Sequence, residues 1–463
     1  MRSRLVCSLA FVAPLLAMAA DGDLDTSFGS AGKVRLPQAG NNHLTWMPMD
    51  VAVQSTGKIV ISGWSDFGSP SYNTCFVLRL NFDGSLDTSF GNGNSFGPGY
   101  AGFSYCRNTS VVVRSDDRIV AADPGYGYSP QLTFINQFKA DGNYDPTFNK
   151  LGSVDLQVSG GDSAVVVNRI ALDSAGNIIG VGTYTESGGA NDFYVARVAA
   201  DGSAQTSVHY NTYFSGSYSP NSDIAYDLAL APDGSYYVAG TTKSGSGDLN
   251  CAVSHNYYNG TVDSILTDNT FSGSSSSLVL AKDYGSDNND YCLALALQPH
   301  DVLVLGGQSS AQLLTTIWQT ATVTSVSADG SSHTDHTFWY DQSTPPINGQ
   351  VDSVKRIVVE PYDHRFLAIG DGPNHASGTT GIDIGVTRFS GPSTPDGSFG
   401  TSGFALYDVG SGVNPNANHA TSAVLWHDRL IIVGTAEDDN GGTDIVALRL
   451  APFDGIFKDG FEG

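Results

Sequence analysis

Charge is scarce in this chain, and positive charge scarcer still. Only 15% of its 463 residues are Asp, Glu, Lys or Arg, where soluble domains average about 25%. The 22 Lys and Arg face 46 Asp and Glu, a net charge of −24. Nucleic-acid affinity comes largely from Lys and Arg on phosphates, and anionic lipid surfaces attract basic segments in the same way. Neither nucleic acid nor a membrane surface is therefore an expected partner. Beyond the first twenty positions no apolar run approaches the roughly 20 residues of a spanning helix, so no membrane span is expected. Signatures of chemistry are missing as well: there is no G-x-S-x-G elbow, no H-E-x-x-H and no C-x-x-C. Gly29-Ser30-Ala31-Gly32-Lys33 fails as a phosphate loop, because its spacing is wrong and Val34 stands where a hydroxyl is required.

What is plentiful is glycine, 54 residues, beside a 40% hydrophobic fraction, a mixture suited to a turn-rich β protein with a large core. Residues 1–19 read as a secretory leader: Arg2 and Arg4, the apolar run Leu9 to Leu16, and the small-residue exit Ala17-Met18-Ala19, with cleavage before Ala20. Loss of Arg2 and Arg4 leaves 20 basic residues against 46 acidic ones, so the mature chain would carry −26. The expected location is extracytoplasmic, where thiols meet oxidants. Four cysteines follow the leader, Cys75, Cys106, Cys251 and Cys292, and four permit three pairings.

Self-comparison reveals a period near sixty. An aliphatic run ending in a small residue recurs seven times, closing at Gly63, Ala122, Gly182, Gly240, Gly306, Gly370 and Gly434. A tight turn and another apolar strand precede each run, which makes a hairpin. A further strand follows, then a turn such as Asp83-Gly84 or Asp141-Gly142, then a phrase seen as DGDLDTSFG at 21–29 and DGSLDTSFG at 83–91, and last a short strand such as Lys33-Val34-Arg35-Leu36. A four-stranded antiparallel unit cannot cover both of its faces alone, and a ring of such units leaves only short edges. The expected fold is all-β, a seven-bladed β-propeller of four-stranded antiparallel blades over 20–453. Its repeats fall at about 33–90, 91–148, 149–208, 209–266, 267–338, 339–400 and 401–453, with a C-terminal tail at 454–463.

At the phrases Leu24 to Gly29 and Leu86 to Gly91, and at the hairpin Ala229 to Gly240, the chain resembles the delta-60 repeat family of secreted bacterial proteins. The resemblance covers nearly the whole chain after the leader and implies export and a repeat fold. That family is defined by its repeat and carries no shared catalytic residues to transfer. Five tryptophans are too few and too irregular for the docking repeats of quinone-dependent propeller dehydrogenases.

With the strands of a unit lettered a to d in chain order, the a–b and c–d connections share one face of the ring and the b–c and d–a turns share the other. The a–b and c–d loops are long and variable, and loops of that kind on a rigid scaffold are where recognition resides. Their aromatics Tyr100, Phe103, Tyr105, Tyr126, Tyr128, Tyr210, Tyr213, Phe214 and Tyr218 suit sugar rings or a protein partner. Cys75 and Cys251 each open a d strand, and Cys106 and Cys292 each open the next b strand, so the expected disulfides are Cys75–Cys106 and Cys251–Cys292. His300, His364 and His427 sit in b–c turns beside aspartates, as turn residues rather than metal ligands. No cofactor is expected. Calcium is the one ion for which hard oxygen donors are at hand, at Asp283, Asp287 and Asp290 and at Asp438, Asp439 and Asp444. The leading expectation is an exported, monomeric, non-enzymatic binding propeller for a glycan or protein. The alternatives are an extracellular polymer-acting hydrolase or lyase, marked by carboxylates or histidines converging on the axis, and a surface or matrix structural protein.

Overall fold

A computed structural model describes residues 20–36, 45–66, 73–91, 97–103, 106, 110–125, 133–156, 164–186, 188–210, 223–243, 247–260, 264–268, 270–271, 279–282, 289–313, 316–342, 352–361, 364–374, 381–410, 417–438 and 441–453. The leader and the C-terminal tail lie outside these residues. The chain forms seven antiparallel sheets in a ring, a seven-bladed β-propeller. Two blades carry one short extra strand beside the outer one. No helix of the described residues is long and apolar enough to cross a membrane.

The innermost strand of every blade is the b strand: Trp46–Val53, Ser110–Val113, Ala164–Leu172, Ile224–Leu230, Asp290–Gln298, Ser353–Val359 and Asn418–Trp426. Each touches the b strands of the blades on either side, so the seven together line the axis. Moving outward come the c strand, the d strand and the a strand of the following unit. In blade one these are Ile59–Ser65, Thr74–Leu80 and Tyr100–Phe103. Blades and sequence repeats are thus out of step by one strand, and the first a strand, Lys33–Leu36, has no earlier blade to join. It pairs with Thr443–Arg449 in register Lys33↔Leu448 to Leu36↔Ile445, forms the outer strand of blade seven, and closes the ring.

Burial follows directly from this geometry. A strand's alternate residues face opposite sides of its sheet, and in a propeller both sides are covered, so the c strands read as unbroken apolar runs. In blade one Ile59 and Ile61 enter the cluster shared with blade seven, while Val60 enters the cluster shared with blade two. Seven such clusters exist, one in each gap between blades. The two disulfides cross gaps as well: Cys75–Cys106 joins blades one and two, and Cys251–Cys292 joins blades four and five, with Cα atoms 5.7 and 4.9 Å apart.

The repeated phrase is a staple. Its aspartate accepts hydrogen bonds from the N–H and O–H of the Ser or Thr two residues on, as Asp87 does from Ser89 and Asp145 from Thr147. The same carboxylate holds a d-strand cation: Asp87 pairs with Arg79 at 2.8 Å and Asp396 with Arg388 at 3.0 Å. The phrase's phenylalanine (Phe28, Phe90, Phe148, Phe399) is fully buried, and Arg79 lies over the Phe90 ring at 4.6 Å. In blade seven that seat is filled from the other end of the chain, by Asp25 on Arg449 at 2.9 Å.

Six of the b strands contain a β-bulge, at Met49, Asn168, Tyr226, Leu293, Lys355 and Thr421. The bulged backbone presses on the c strand opposite, and there the repeat keeps a glycine. A Cβ on Gly63, Gly182, Gly240, Gly307, Gly370 or Gly434 would stand 1.7–2.3 Å from a b-strand carbonyl oxygen. In unit five the glycine that answers the bulge is Gly307 and not its neighbour Gly306, because Cys292 pairs with Gly307. Blade two has Ala122 at this place, and its described register runs without a shift. Gly240→Ala should therefore cost about 1–3 kcal/mol in urea unfolding, as overpacking does. Gly188→Ala, where an added Cβ meets nothing within 4 Å, should stay within about 0.5 kcal/mol.

Candidate functional site

Strand alternation would send two successive residues to opposite sides, and a bulge overrides it by placing two residues opposite one. Here the result is an axial cavity of about 260 Å³ near the long-loop end of the channel, because each bulge is the third to fifth residue of its strand. Its walls are bulge residues and their successors: Met49, Asn168 with Arg169, Tyr226 with Asp227, Leu293, Lys355 with Arg356, and Thr421 with Ser422.

At the cavity floor four charges alternate in sign. Asp50 pairs with Arg169 at 2.6 Å, Arg169 with Asp227 at 3.3 Å, and Asp227 with Arg356 at 2.8 Å, so blades one, three, four and six are tied through the axis. Asp50 also accepts from the hydroxyls of Ser110 and Ser422, both at 2.8 Å, and from the backbone N–H of Val51 and Val111. Asp227 accepts from the N–H of Leu228 and Leu295. Burial raises the Asp50 carboxyl's pKa, yet Arg169, Arg356 and these donors outweigh it and hold the group below the ordinary carboxylate range. Arg169 is held up by its two aspartates against its own burial, while burial and the nearby Arg169 push Arg356 down.

Beside the cavity, Asp371 accepts from His419 Nδ1 at 3.0 Å and from the backbone N–H of Ala420, and Lys355 Nζ stands 3.9 Å away. The Asp371 hydrogen bond raises the His419 pKa above 6.5 despite partial burial. Carboxylates do converge on the axis, but every acceptor site of Asp50 is committed. A general base needs a lone pair facing its substrate, and Asp50 has none to spare.

Of the aromatic residues expected to bind, the three that are described, Tyr100, Phe103 and Tyr210, lie on outer strands. Tyr100 lies on the outer strand of blade one, with its ring 5.8 Å from Trp46 and 6.0 Å from Phe76, and burial pushes its hydroxyl up to about 12. Tyr210 ends the outer strand of blade three, opposite Phe193. Phe103 ends the outer strand of blade one. Tyr105, Tyr126, Tyr128, Tyr213, Phe214 and Tyr218 lie outside the described residues. Among the turn histidines, His300 and His364 stack across neighbouring blades with centroids 5.3 Å apart, and His427 meets Trp426 edge-on. Of the calcium candidates, Asp444 is committed to Arg35 at 2.6 Å, Asp438 accepts from the N–H of Gly442, Asp290 is buried on its inner strand, and Asp283, Asp287 and Asp439 lie outside the described residues. Among the described residues, the one set of three ligand types brought together is Cys75, Cys106 and Asp123, and both of its sulfurs are in the disulfide.

The match to one family model agrees on the architecture. A family model described as a domain of unknown function (DUF5122) beta-propeller matches residues 54–90 and 176–207. No curated protein matches the chain. Among solved structures it is similar to a puromycin hydrolase (10% identity, TM-score 0.46), with 91% of this chain and 54% of that chain covered, so it spans about half that enzyme's length. It is also similar to the GH93 α-L-arabinofuranosidase of Fusarium graminearum in complex with arabinobiose (13%, TM-score 0.43, covering 74% and 91%). A third is Sqt1 of Chaetomium thermophilum bound to the N-terminus of ribosomal protein L10 (11%, TM-score 0.40, covering 89% and 97%).

Breaking a buried pair strands its partner, so Asp50→Asn should lower unfolding stability by about 3–5 kcal/mol, and adding Arg169→Met should recover part of that loss. The His419 pair carries the opposite pH sign to a carboxylate. Its contribution is complete below about pH 6.5 and disappears as pH rises through the raised folded value. A proton NMR titration of His419 should show a midpoint above 6.5, which Asp371→Asn should bring down.

Proposed function

We propose that this chain is an exported, monomeric binding propeller that recognises a glycan or protein through its long-loop face, with the axial cavity as the centre of the site. The observation that carries this reading is the state of the axial carboxylates. Asp50 and Asp227 are fully engaged by arginines, hydroxyls and backbone N–H groups, which holds the wall residues Arg169 and Arg356 in place. Support for the compartment comes from the two disulfides, a feature of oxidising environments, and from the leader-like first nineteen residues. The resemblance to the delta-60 repeat family points the same way.

A second reading, an enzyme acting on an extracellular polymer, is favoured by one feature, the His419–Asp371 pair with Lys355 beside it. Turnover separates the two. The mature chain is expected to give a retained ligand on a glycan or peptide array, with a measurable heat of binding and no product from arabinan, pectin or peptide polymers. Product formation that His419→Gln abolishes would establish the enzymatic reading instead.

A further inference from the structure

Of the charged residues that line the axial cavity, three are cations, Arg169, Lys355 and Arg356, and one, Asp227, is a carboxylate. Asp50 is buried among five donors and does not line the cavity, and Arg169 and Asp227 are each flanked by two opposite charges. Arg356 pairs with Asp227 at 2.8 Å and feels Asp50 as a second opposite charge, and its Nε is buried with no hydrogen-bond partner among the described residues. Its neighbour on the bulge is Lys355, which lines the same cavity, is a third exposed, and reaches its nearest carboxylate, Asp371, only at 3.9 Å. Two successive cations on one cavity wall are unusual in a chain with 22 Lys and Arg in 463 residues. Strand alternation would separate them, and the bulge at Lys355 places both on the channel. A carboxylate seated against Arg356 and Lys355 would offset this excess of cations on the wall, and a planar guanidinium beside an ammonium fits that group.

From this we infer that the axial cavity binds a carboxylate carried on a single small ring, of the kind presented by a hexuronic acid residue of an acidic glycan. The size of the cavity, about 260 Å³, lies just below the 300–1,000 Å³ of pockets for drug-sized ligands and admits one ring rather than a chain. Met49, Leu293 and Tyr226 give that ring apolar and aromatic surface, and Asn168 and Thr421 give its hydroxyls polar neighbours. The body of the protein, at −24, repels anions at long range, so this recognition acts over a few ångströms, inside the channel. The inference rests on the binding reading above and narrows it to a ligand class.

Calorimetry with D-galacturonate, D-galactose and the free acid Ala-Ala-Ala tests it on the full mature chain. Galacturonate should bind, and galactose should bind at least tenfold more weakly. Lys355→Met should weaken galacturonate about tenfold without moving the melting temperature, since this side chain stands outside the row of buried pairs. Equal affinity for galactose, tighter binding of the tripeptide, no binding of galacturonate at millimolar concentration, or no effect of Lys355→Met would each overturn the assignment. An array ligand that is neutral and indifferent to Lys355→Met would sink the inference while leaving the binding reading intact. Silence in both assays would remove both.

Discussion

A four-stranded blade has two apolar faces and can cover neither by itself. Everything else in this molecule follows from that constraint. Seven blades provide seven gaps, each gap holds its own hydrophobic cluster, and no cluster spans more than two neighbouring blades. Such an arrangement has no end that can be left bare, so the first blade must meet the last. The chain arranges this by being out of phase with its own repeat: Lys33–Leu36 completes blade seven, and Asp25 takes the seat on Arg449 that Asp87 takes on Arg79. At roughly 25 cal/mol per Å² of apolar surface, leaving one gap open would expose two sheets at once.

Covering the faces also determines what can happen at the axis. The b strands must come close together, and of the bulges in six of them four put two successive residues on the cavity wall. The repeat's glycine makes this possible, since it leaves room for the carbonyl two residues before each bulge. Stability and site are therefore two consequences of one backbone device. The charges placed there do two things: engaged in pairs they bind blades one, three, four and six together, and with Lys355 they give the cavity wall three cations against one carboxylate.

Much of the architecture was legible because both of its determinants are periodic. The seven aliphatic runs, the turn phrases and the positions of Cys75, Cys106, Cys251 and Cys292 in equivalent strands led to the blade count and to the pairing found here. The site was less legible. A charged residue stands thirteen positions before the closing glycine in units one, three and four, as Asp50, Arg169 and Asp227, and fourteen before it in unit six, as Arg356. That is a real signal, a charge in the middle of an apolar strand. Its meaning depends on which strand is innermost, and radial order is set by packing in three dimensions, which a repeat pattern does not encode. Tyr100 shows the converse. Its place near a variable loop suggested a binding surface, but as part of an outer strand it packs against Trp46 and Phe76.

Ring closure by the N-terminal strand is the claim on which the rest hangs, and hydrogen exchange on a chain shortened to begin after Leu36 examines it most directly. Closure predicts that amides of Thr443–Arg449 lose protection, that both gaps flanking blade seven open, and that the bared edge drives concentration-dependent association. Protection and melting temperature unchanged from those of the full chain would contradict it.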